Sequence, residues 1–157
     1  MPDAFPSQFE TPDQSLGFLL WQVANDWQRR TRLALKTLAL THVQFVLLAS
    51  SAWLNQTDQP VTQVQLATYA HLDIMMTSQV LRTLEKKGLL ERASHPTDTR
   101  AKSIRLTETG QSLLAQALPL VEETDRLFFD SLGDNRSHWV DLLKACLTPG
   151  KALHHKG

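Results

Sequence analysis

Residues 73–90 read DIMMTSQVLRTLEKKGLL, a stretch that carries the start, both faces and the end of one helix. Asp73 belongs to the residue types that cap helix N-termini, and Gly88, which follows two lysines, belongs to those that end helices. Ile74 is expected to lean towards the core. Four further residues at helical spacing are expected to pack inward: Thr77, Val80, Leu81 and Leu84. The stretch therefore predicts an amphipathic helix with a second, more polar face.

The second face carries residue types that recognise base edges in a DNA groove. Gln79 can pair with adenine, Arg82 can reach guanine or a phosphate, and a methionine can contact a thymine methyl group. Adjacent helix residues point about 100° apart, so Met75 is expected beside Gln79 and Arg82, with Met76 at the edge. The predicted DNA-binding residues of this helix are Met75, Met76, Ser78, Gln79, Arg82 and Lys86. The alternative is a solvated face of a purely structural helix.

Two helices are predicted upstream of this stretch. Thr62 and Gln65 fit a capping box that opens a short helix, TQVQLATYAHL, and Thr41 and Gln44 fit another before THVQFVLLASSAWL. The latter segment is apolar nearly all round, so we expect that helix to be buried. The short helix and the capped helix of residues 73–90, separated by a tight turn, predict a helix-turn-helix.

The pattern downstream of the helix changes from helical to extended. LLERASH and AKSIRLT read as short strands, and PTDTR between them favours a turn, so the segment predicts a hairpin. Asp98 and Arg100 are close enough for the carboxylate to orient the guanidinium for entry into a narrow minor groove. Lys102 is expected at a phosphate or in solvent. The alternative for Asp98 and Arg100 is a surface ion pair of little energetic value.

The residues from Leu66 to Gly110 resemble the MarR family of transcriptional regulators. The resemblance lies in L-E-x-x-G-L at Leu84–Leu89, D-x-R at Asp98–Arg100 and L-T-x-x-G at Leu106–Gly110. With the helices on either side it covers roughly residues 15–147. It implies a homodimer with interlocking terminal helices, a pseudo-palindromic operator in double-stranded DNA, and often release by a small aromatic or phenolic effector.

The expected fold is mainly α with a small β-hairpin wing, that is, a winged helix-turn-helix with N- and C-terminal dimerisation helices. Ser15 is expected to cap the first long helix, and Thr107 another that contains Pro119 and should kink there. The expected parts are a flexible arm (1–14), a dimerisation helix (15–40), the DNA-binding module (41–106), C-terminal dimerisation helices (107–148) and a tail (149–157). Met75 and Met76 stand where the family commonly has small hydroxyl residues, so an operator preference does not transfer from relatives.

The resemblance also implies an effector cavity between the dimerisation region and the winged module. The candidate lining residues are Trp21, His42, Phe45 and Trp53. Aromatic side chains at helical spacing are more often core or dimer interface, and that is the alternative for each of them.

Basic and acidic residues are distributed unevenly along a chain whose formal net charge is zero. Residues 71–106 hold seven Lys and Arg against four Asp and Glu, whereas residues 107–143 hold two against seven. Screening limits electrostatic contacts to roughly 10 Å, so a locally basic module can bind an anionic polymer within a neutral protein. The charge pattern is compatible with a nucleic-acid partner for the central region.

Several function classes find no support in the sequence. The six histidines show no metal-ligand spacing, and there is no phosphate-binding glycine loop or nucleophile motif, so neither an enzyme nor a cofactor is expected. The single cysteine, Cys146, cannot form an internal disulfide. No apolar run reaches the roughly 18 to 20 residues of a membrane span, and the N-terminus lacks signal-peptide features. We expect a cytoplasmic regulator that binds double-stranded DNA and represses transcription in response to a ligand; the alternative is a winged-helix module that binds proteins without specific DNA binding.

Overall fold

The computed structural model describes residues 6–57, 59–94, 96–98, 100 and 102–148. The chain divides into two compact units, Met1–Thr124 and Asp125–Gly157. The helices are α1 (Leu16–Leu35), α2 (His42–Leu54), α3 (Gln63–Tyr69), α4 (Ile74–Lys86), α5 (Glu108–Phe128) and α6 (Arg136–Leu147). The strands are β1 (Leu90–Ser94) and β2 (Lys102–Leu106), and short 3-10 helices cover Pro12–Gln14, Lys36–Leu38 and Asp130–Asn135. The expected mainly helical fold with a hairpin is confirmed.

The predicted N-terminal caps are all present. The Ser15 hydroxyl accepts from the Phe18 N–H at 3.3 Å, and Thr41 with Gln44 and Thr62 with Gln65 form complete capping boxes. Asp73 accepts from the first-turn N–H groups of Met75 and Met76 at 2.8 and 3.0 Å. These side chains satisfy backbone donors that have no partner inside the helix, and they fix where each helix begins.

Three helical segments end in the same backbone motif. In each, an N–H just past the helix donates to the carbonyl five residues earlier: Leu40 to Leu35 at 3.3 Å, Leu72 to Ala67 at 2.9 Å and Leu89 to Leu84 at 3.0 Å. The residue before that donor has a left-handed backbone, namely Ala39 (φ 52°), His71 (φ 51°) and Gly88 (φ 70°). Glycine adopts this conformation without a Cβ penalty, so α4 alone of the three has an unstrained end.

The hairpin is held by α2 and by the segment before α3. β1 and β2 pair antiparallel with Leu90 opposite Leu106 and Ser94 opposite Lys102. The Ile104 N–H donates to the Val61 carbonyl at 2.8 Å, and Asn55 Nδ2 donates to the Ile104 carbonyl at 2.9 Å. The base of the wing is therefore anchored on the body of the first unit.

The core of the first unit lies where α2, α3, α4, the hairpin and the start of α5 meet. Its completely buried apolar side chains are Leu35, Leu47, Leu48, Leu66, Leu81, Leu84, Ile104 and Ala117. As expected for a helix that is apolar nearly all round, α2 is largely buried. Trp53 near its C-terminal end is an exception, with 59% of its surface exposed.

The junction between α4 and α5 is closely packed. The Thr107 hydroxyl donates to the Gly88 carbonyl at 2.6 Å and accepts from the Gly110 N–H at 3.1 Å, which caps α5 as predicted. A Cβ at Gly110 would lie 1.9 Å from the carbonyl oxygen of Leu89. Only glycine lets the first turn of α5 lie against the backbone between α4 and β1.

Some sequence-based expectations differ from the structure. Ile74 does not lean into the core: 41% of its surface is exposed, because it occupies the first helical position of α4, ahead of the buried turns. As expected, Pro119 lies inside the single helical segment α5, and the kink there stays a prediction. Met1–Phe5 of the predicted arm and residues 149–157 of the predicted tail lie outside the described residues.

Within the described part of the chain, no single helix is both long and apolar enough to cross a membrane. The stretches Leu16–Leu38 and His42–Leu54 reach that length and composition only when taken together, and they are bent by 79°.

Candidate nucleic-acid interface

Helix α4 has one fully buried side and one exposed side. Thr77, Leu81 and Leu84 have no exposed surface, and the Thr77 hydroxyl donates to the Asp73 carbonyl at 2.8 Å. On the other side Met75 is 77% exposed and Met76 is 48% exposed. The inward face predicted from the sequence is confirmed. Because this face packs on the core, the opposite side of α4 points outward.

Two polar residues of the exposed side contact each other along the helix. Arg82 Nη2 donates to the Ser78 hydroxyl at 3.0 Å, one turn earlier. Gln79 and Lys86 are exposed, whereas Ser78 is half-buried. Ser78 thus holds the Arg82 side chain against the helix. We call Met75, Met76, Gln79, Arg82 and Lys86, together with Ser78, the reading face.

The wing tip is shaped by Asp98. Its Oδ1 accepts from the backbone N–H of Arg100 at 3.0 Å, a local turn contact of the kind that aspartate favours. Arg100 and Lys102 are exposed, and Lys102 is the first residue of β2. The structure thus shows the carboxylate ordering the arginine's backbone; an action on its guanidinium stays a prediction. His95, Thr99 and Ala101, in the same segment, lie outside the described residues.

An ion pair connects the wing to α4. Arg92 on β1 approaches Glu85 on α4 with an Nη2–Oε2 distance of 2.6 Å. The hydrogen bond from Arg92, with its positive charge, lowers the pKa of Glu85 below the ordinary value, against a smaller opposing effect of burial. Sequence reasoning missed this pair, because a separation of seven residues across a helix end and a strand carries no local signal.

Lys87 makes a second contact that sequence reasoning did not predict. Its Nζ donates to the Ala39 carbonyl at 3.0 Å and to Gln44 Oε1 at 3.3 Å. Ala39 lies between α1 and α2, and Gln44 lies in the first turn of α2; both are more than 40 residues away in the chain. From the sequence, Lys87 was expected only to be a cation that suits a helix C-terminus.

The aromatic residues predicted for an effector cavity lie in different environments. Trp53 lines a cavity of about 340 Å³ whose wall includes Tyr69, Leu114 and Leu118. The wall of this cavity does not include Trp21, His42 or Phe45. Phe45 belongs to the core, Trp21 is 67% exposed on α1, and the His42 ring packs edge-on against Trp27 at 5.0 Å.

The first and last helices each expose large apolar side chains. On α1 these are Leu16, Phe18, Leu19, Leu20, Trp21, Val23 and Leu33. On α6 they are Trp139, Val140, Leu142, Leu143 and Leu147, and Cys146 is exposed there as well.

The polar side of α1 carries Asp26, whose pKa is lowered mainly by a hydrogen bond from Arg29, with a further contribution from Arg30.

The described residues contain no group of three or more His, Cys, Asp or Glu side chains placed to hold a metal ion. The chemistry that the described side chains of the reading face and wing offer is hydrogen bonding, positive charge and apolar contact. These are the interactions by which proteins read groove edges and bind phosphates. A helix-turn-helix with such a second helix, followed by a hairpin tied to it, defines the class of winged helix-turn-helix DNA-binding proteins.

Comparison with known proteins narrows the class. A model of the MarR family matches residues 40–102. The uncharacterized HTH-type transcriptional regulator YdcH of Bacillus subtilis (strain 168) is 48% identical over 123 residues, covering 78% of this chain and 84% of that protein. The chain belongs to the MarR family, and it is a transcriptional regulator of the MarR type.

Solved structures show the same fold. One is a variant of MarR from E. coli complexed with operator DNA, at 25% identity and a TM-score of 0.75 over 85% of this chain and 94% of that one. Another is CouR from Rhodococcus jostii RHA1 bound to p-coumaroyl-CoA, at 25% identity and a TM-score of 0.78 over 90% and 97% of the two chains.

Proposed function

We propose that this protein is a homodimeric repressor that binds a pseudo-palindromic operator with the reading face of α4 in the major groove. The two-sided character of α4 carries the proposal. Thr77, Leu81 and Leu84 are completely buried under the helix, while Met75 on the outer side is 77% exposed. Base recognition needs side chains that project from a rigid support. The MarR relative complexed with operator DNA supports this class of partner.

Each residue of the reading face has a role that follows from its chemistry. Gln79 pairs with an adenine edge, and Arg82, oriented by Ser78, reaches guanine or a phosphate. Met75 contacts a thymine methyl group, Met76 contacts the edge of the groove, and Lys86 neutralises a phosphate. Ser78 contributes by holding Arg82 and through its own hydroxyl.

The wing extends the contact beyond the major groove. Asp98 orders the turn, Arg100 enters the neighbouring minor groove, and Lys102 binds a phosphate. A narrow minor groove over A·T-rich sequence has an enhanced negative potential that attracts an arginine. The anchoring of β2 through Asn55 keeps the base of the wing fixed while its tip reaches outward.

The proposed dimer buries the apolar faces of the terminal helices. α1 exposes Leu16 at 83%, Leu20 at 59% and Trp21 at 67%, and α6 exposes Leu147 at 60%. Apolar faces of this extent are typical of interaction surfaces. A two-fold dimer then presents two α4 helices to successive major grooves, which lie about 34 Å apart.

A small aromatic or phenolic effector is proposed to release the operator. The cavity beside Trp53 has a volume of about 340 Å³ and an apolar wall that includes Tyr69 and Leu118, within the usual range of ligand sites. CouR bound to p-coumaroyl-CoA supports small-molecule control. The effector acts by favouring a dimer in which the α4 helices no longer match the groove spacing. Because a repressor must reach its operator, the proposed location of the protein is the cytoplasm.

Selection of random duplex DNA by the purified protein tests the proposal. We expect enrichment of an inverted repeat with half-site centres about 10 base pairs apart, and binding that weakens steeply with salt as phosphate contacts release counterions. No enriched sequence together with a flat salt response would reject operator binding. Such a result would favour a winged-helix module that binds proteins.

A further inference from the structure

The two lysines at the end of α4 have different surroundings. Lys86 is exposed on the reading face, and its side chain makes no hydrogen bond or ion pair within the described residues. Lys87 is also exposed, but its ammonium group is bound: it donates to Ala39 O at 3.0 Å and to Gln44 Oε1 at 3.3 Å. Adjacent helix positions point about 100° apart, so one lysine is left for DNA while the other reaches the junction of α1 and α2.

The acceptors of Lys87 lie at a sharply turned backbone. Ala39 has a left-handed conformation, with φ 52° and ψ 32°, and it ends the 3-10 helix that continues α1. Carbonyls at a helix end lack intrahelical partners, so the Ala39 oxygen is open to a side-chain donor. A cation near the end of a helix also interacts favourably with the partial negative charge there.

Gln44 connects this contact to the start of α2. Its side chain is buried, and Oε1 accepts from the Thr41 N–H at 3.1 Å as well as from the Lys87 ammonium. Hydrogen bonds from a charged donor are stronger than those between neutral groups. One ammonium group thus joins the end of α4 to both sides of the turn that connects α1 with α2.

We propose that Lys87 is a positioning residue that sets the orientation of α4 on DNA from the α1–α2 junction. The inference rests on the proposed binding of DNA through α4. It adds that Lys87 raises affinity without touching DNA, because it narrows the range of orientations available to the reading face. Since α1 is the proposed dimerisation helix, the contact also transmits a shift of α1 to α4.

Salt dependence separates positioning from phosphate contact. Operator binding of Lys87→Met and Lys86→Met is measured by fluorescence anisotropy over a range of salt concentrations, with a duplex enriched by the wild-type protein. We expect Lys87→Met to weaken binding about fivefold or more at each salt concentration, with an unchanged salt slope. Lys86→Met should reduce the slope by about one. An unchanged affinity, or a slope reduced as in Lys86→Met, would overturn the proposal for Lys87.

A substitution at the acceptor provides an independent check. Gln44→Glu keeps an oxygen for both Thr41 and Lys87 and adds a negative charge that strengthens the bond to the ammonium. Because an unpaired carboxylate is costly in a buried position, Lys87→Met should weaken binding more in the Gln44→Glu protein than in wild type. Additive effects of the two substitutions would overturn the coupling between Lys87 and Gln44.

Amide hydrogen exchange tests the contact without DNA. Loss of the ammonium should speed exchange of the Thr41 N–H in Lys87→Met relative to Lys86→Met, since the Thr41 acceptor loses its second partner. If the wild-type protein selects no duplex, the proposed function fails. The exchange rate of the Thr41 N–H then still decides whether Lys87 holds the α1–α2 junction. If the wild-type protein binds and Lys87→Met binds equally well, the positioning role fails alone.

Discussion

Arg92 on β1 donates from both Nε and Nη2 to one carboxylate oxygen of Glu85 on α4, at 3.0 and 2.6 Å. The Arg92 side chain is 19% exposed and that of Glu85 is 39% exposed. Water therefore screens the pair, and its contribution to the free energy of unfolding is expected to be under about 1 kcal/mol. Its main effect is geometric, because it ties the wing to α4.

The first prediction concerns the pH dependence of this pair. Arg92 lowers the pKa of Glu85 in the folded protein below the ordinary value of 4.5. A carboxylate with a lowered folded pKa stabilises the protein above its unfolded pKa, and this stabilisation is lost as pH falls through the folded pKa. Urea unfolding should thus show Glu85→Gln less stable than wild type at pH 7, with the difference shrinking below pH 4.5. A difference that is constant with pH would contradict the assigned charge interaction.

Local signals predicted much of this fold, because helix boundaries depend on neighbouring residues. Asp73 and Thr107 cap the helices that the sequence assigned to them. The contacts that orient those helices could not be predicted in this way. Lys87 reaches Ala39 across 48 residues, and this partnership depends on the packed arrangement of α1, α2 and α4 rather than on any spacing in the sequence.

The second prediction concerns the close approach at Gly110. Gly110→Ala should destabilise the protein by about 3 kcal/mol or more, because the new Cβ would lie 1.9 Å from the Leu89 carbonyl oxygen and 2.8 Å from its carbon. Gly17→Ala is the matched control, since a Cβ there meets nothing within 4 Å in α1. That substitution should stabilise the helix by about 0.5–1 kcal/mol. Chemical denaturation measures both, and similar stabilities of the two variants would contradict the packing at Gly110.

The third prediction concerns the turn of the helix-turn-helix. His71 has a φ of 51°, and its described contacts are limited to a backbone hydrogen bond to Thr68 at 3.2 Å. His71→Gly should relieve left-handed strain and raise the free energy of unfolding by about 1 kcal/mol. Gly88→Ala is the opposite substitution in the same motif at a φ of 70°, and it should lower stability by a similar amount. Equal signs for the two changes would rule out backbone strain as the cause.

The fourth prediction concerns the two adjacent methionines of the reading face. Met75→Ala should relax preference at one thymine position of the selected operator by about 1 kcal/mol, the value of a single base contact. Met76→Ala is the control, because Met76 is 48% exposed against 77% for Met75, and helical geometry predicts Met76 at the edge of the reading face. Binding to a panel of single-base operator variants measures this. An equal loss of affinity for every operator in the panel, or reduced folding stability, would show that Met75 packs within the protein and does not contact a base.

The sequence could predict the composition of the reading face but not its internal contacts. Helical projection placed Met75 and Gln79 outside and Leu81 inside, because a period of 3.6 residues separates faces without reference to the rest of the fold. It did not predict that Arg82 lies against Ser78 at 3.0 Å. That contact depends on side-chain rotamers, and these depend on what surrounds each residue in the folded chain.

The fifth prediction concerns Arg100 at the wing tip. Arg100→Ala should weaken binding most for operators with A·T-rich flanks, because the narrow minor groove there favours an inserted arginine. Arg100→Lys keeps the charge but loses the planar guanidinium, so it should restore the salt dependence and only part of the preference. The Asp98 contact is to the Arg100 backbone N–H at 3.0 Å, and both substitutions retain that donor. Anisotropy titrations with A·T-rich and G·C-rich flanks separate the effects, and an equal loss on both flanks would assign Arg100 to a phosphate instead.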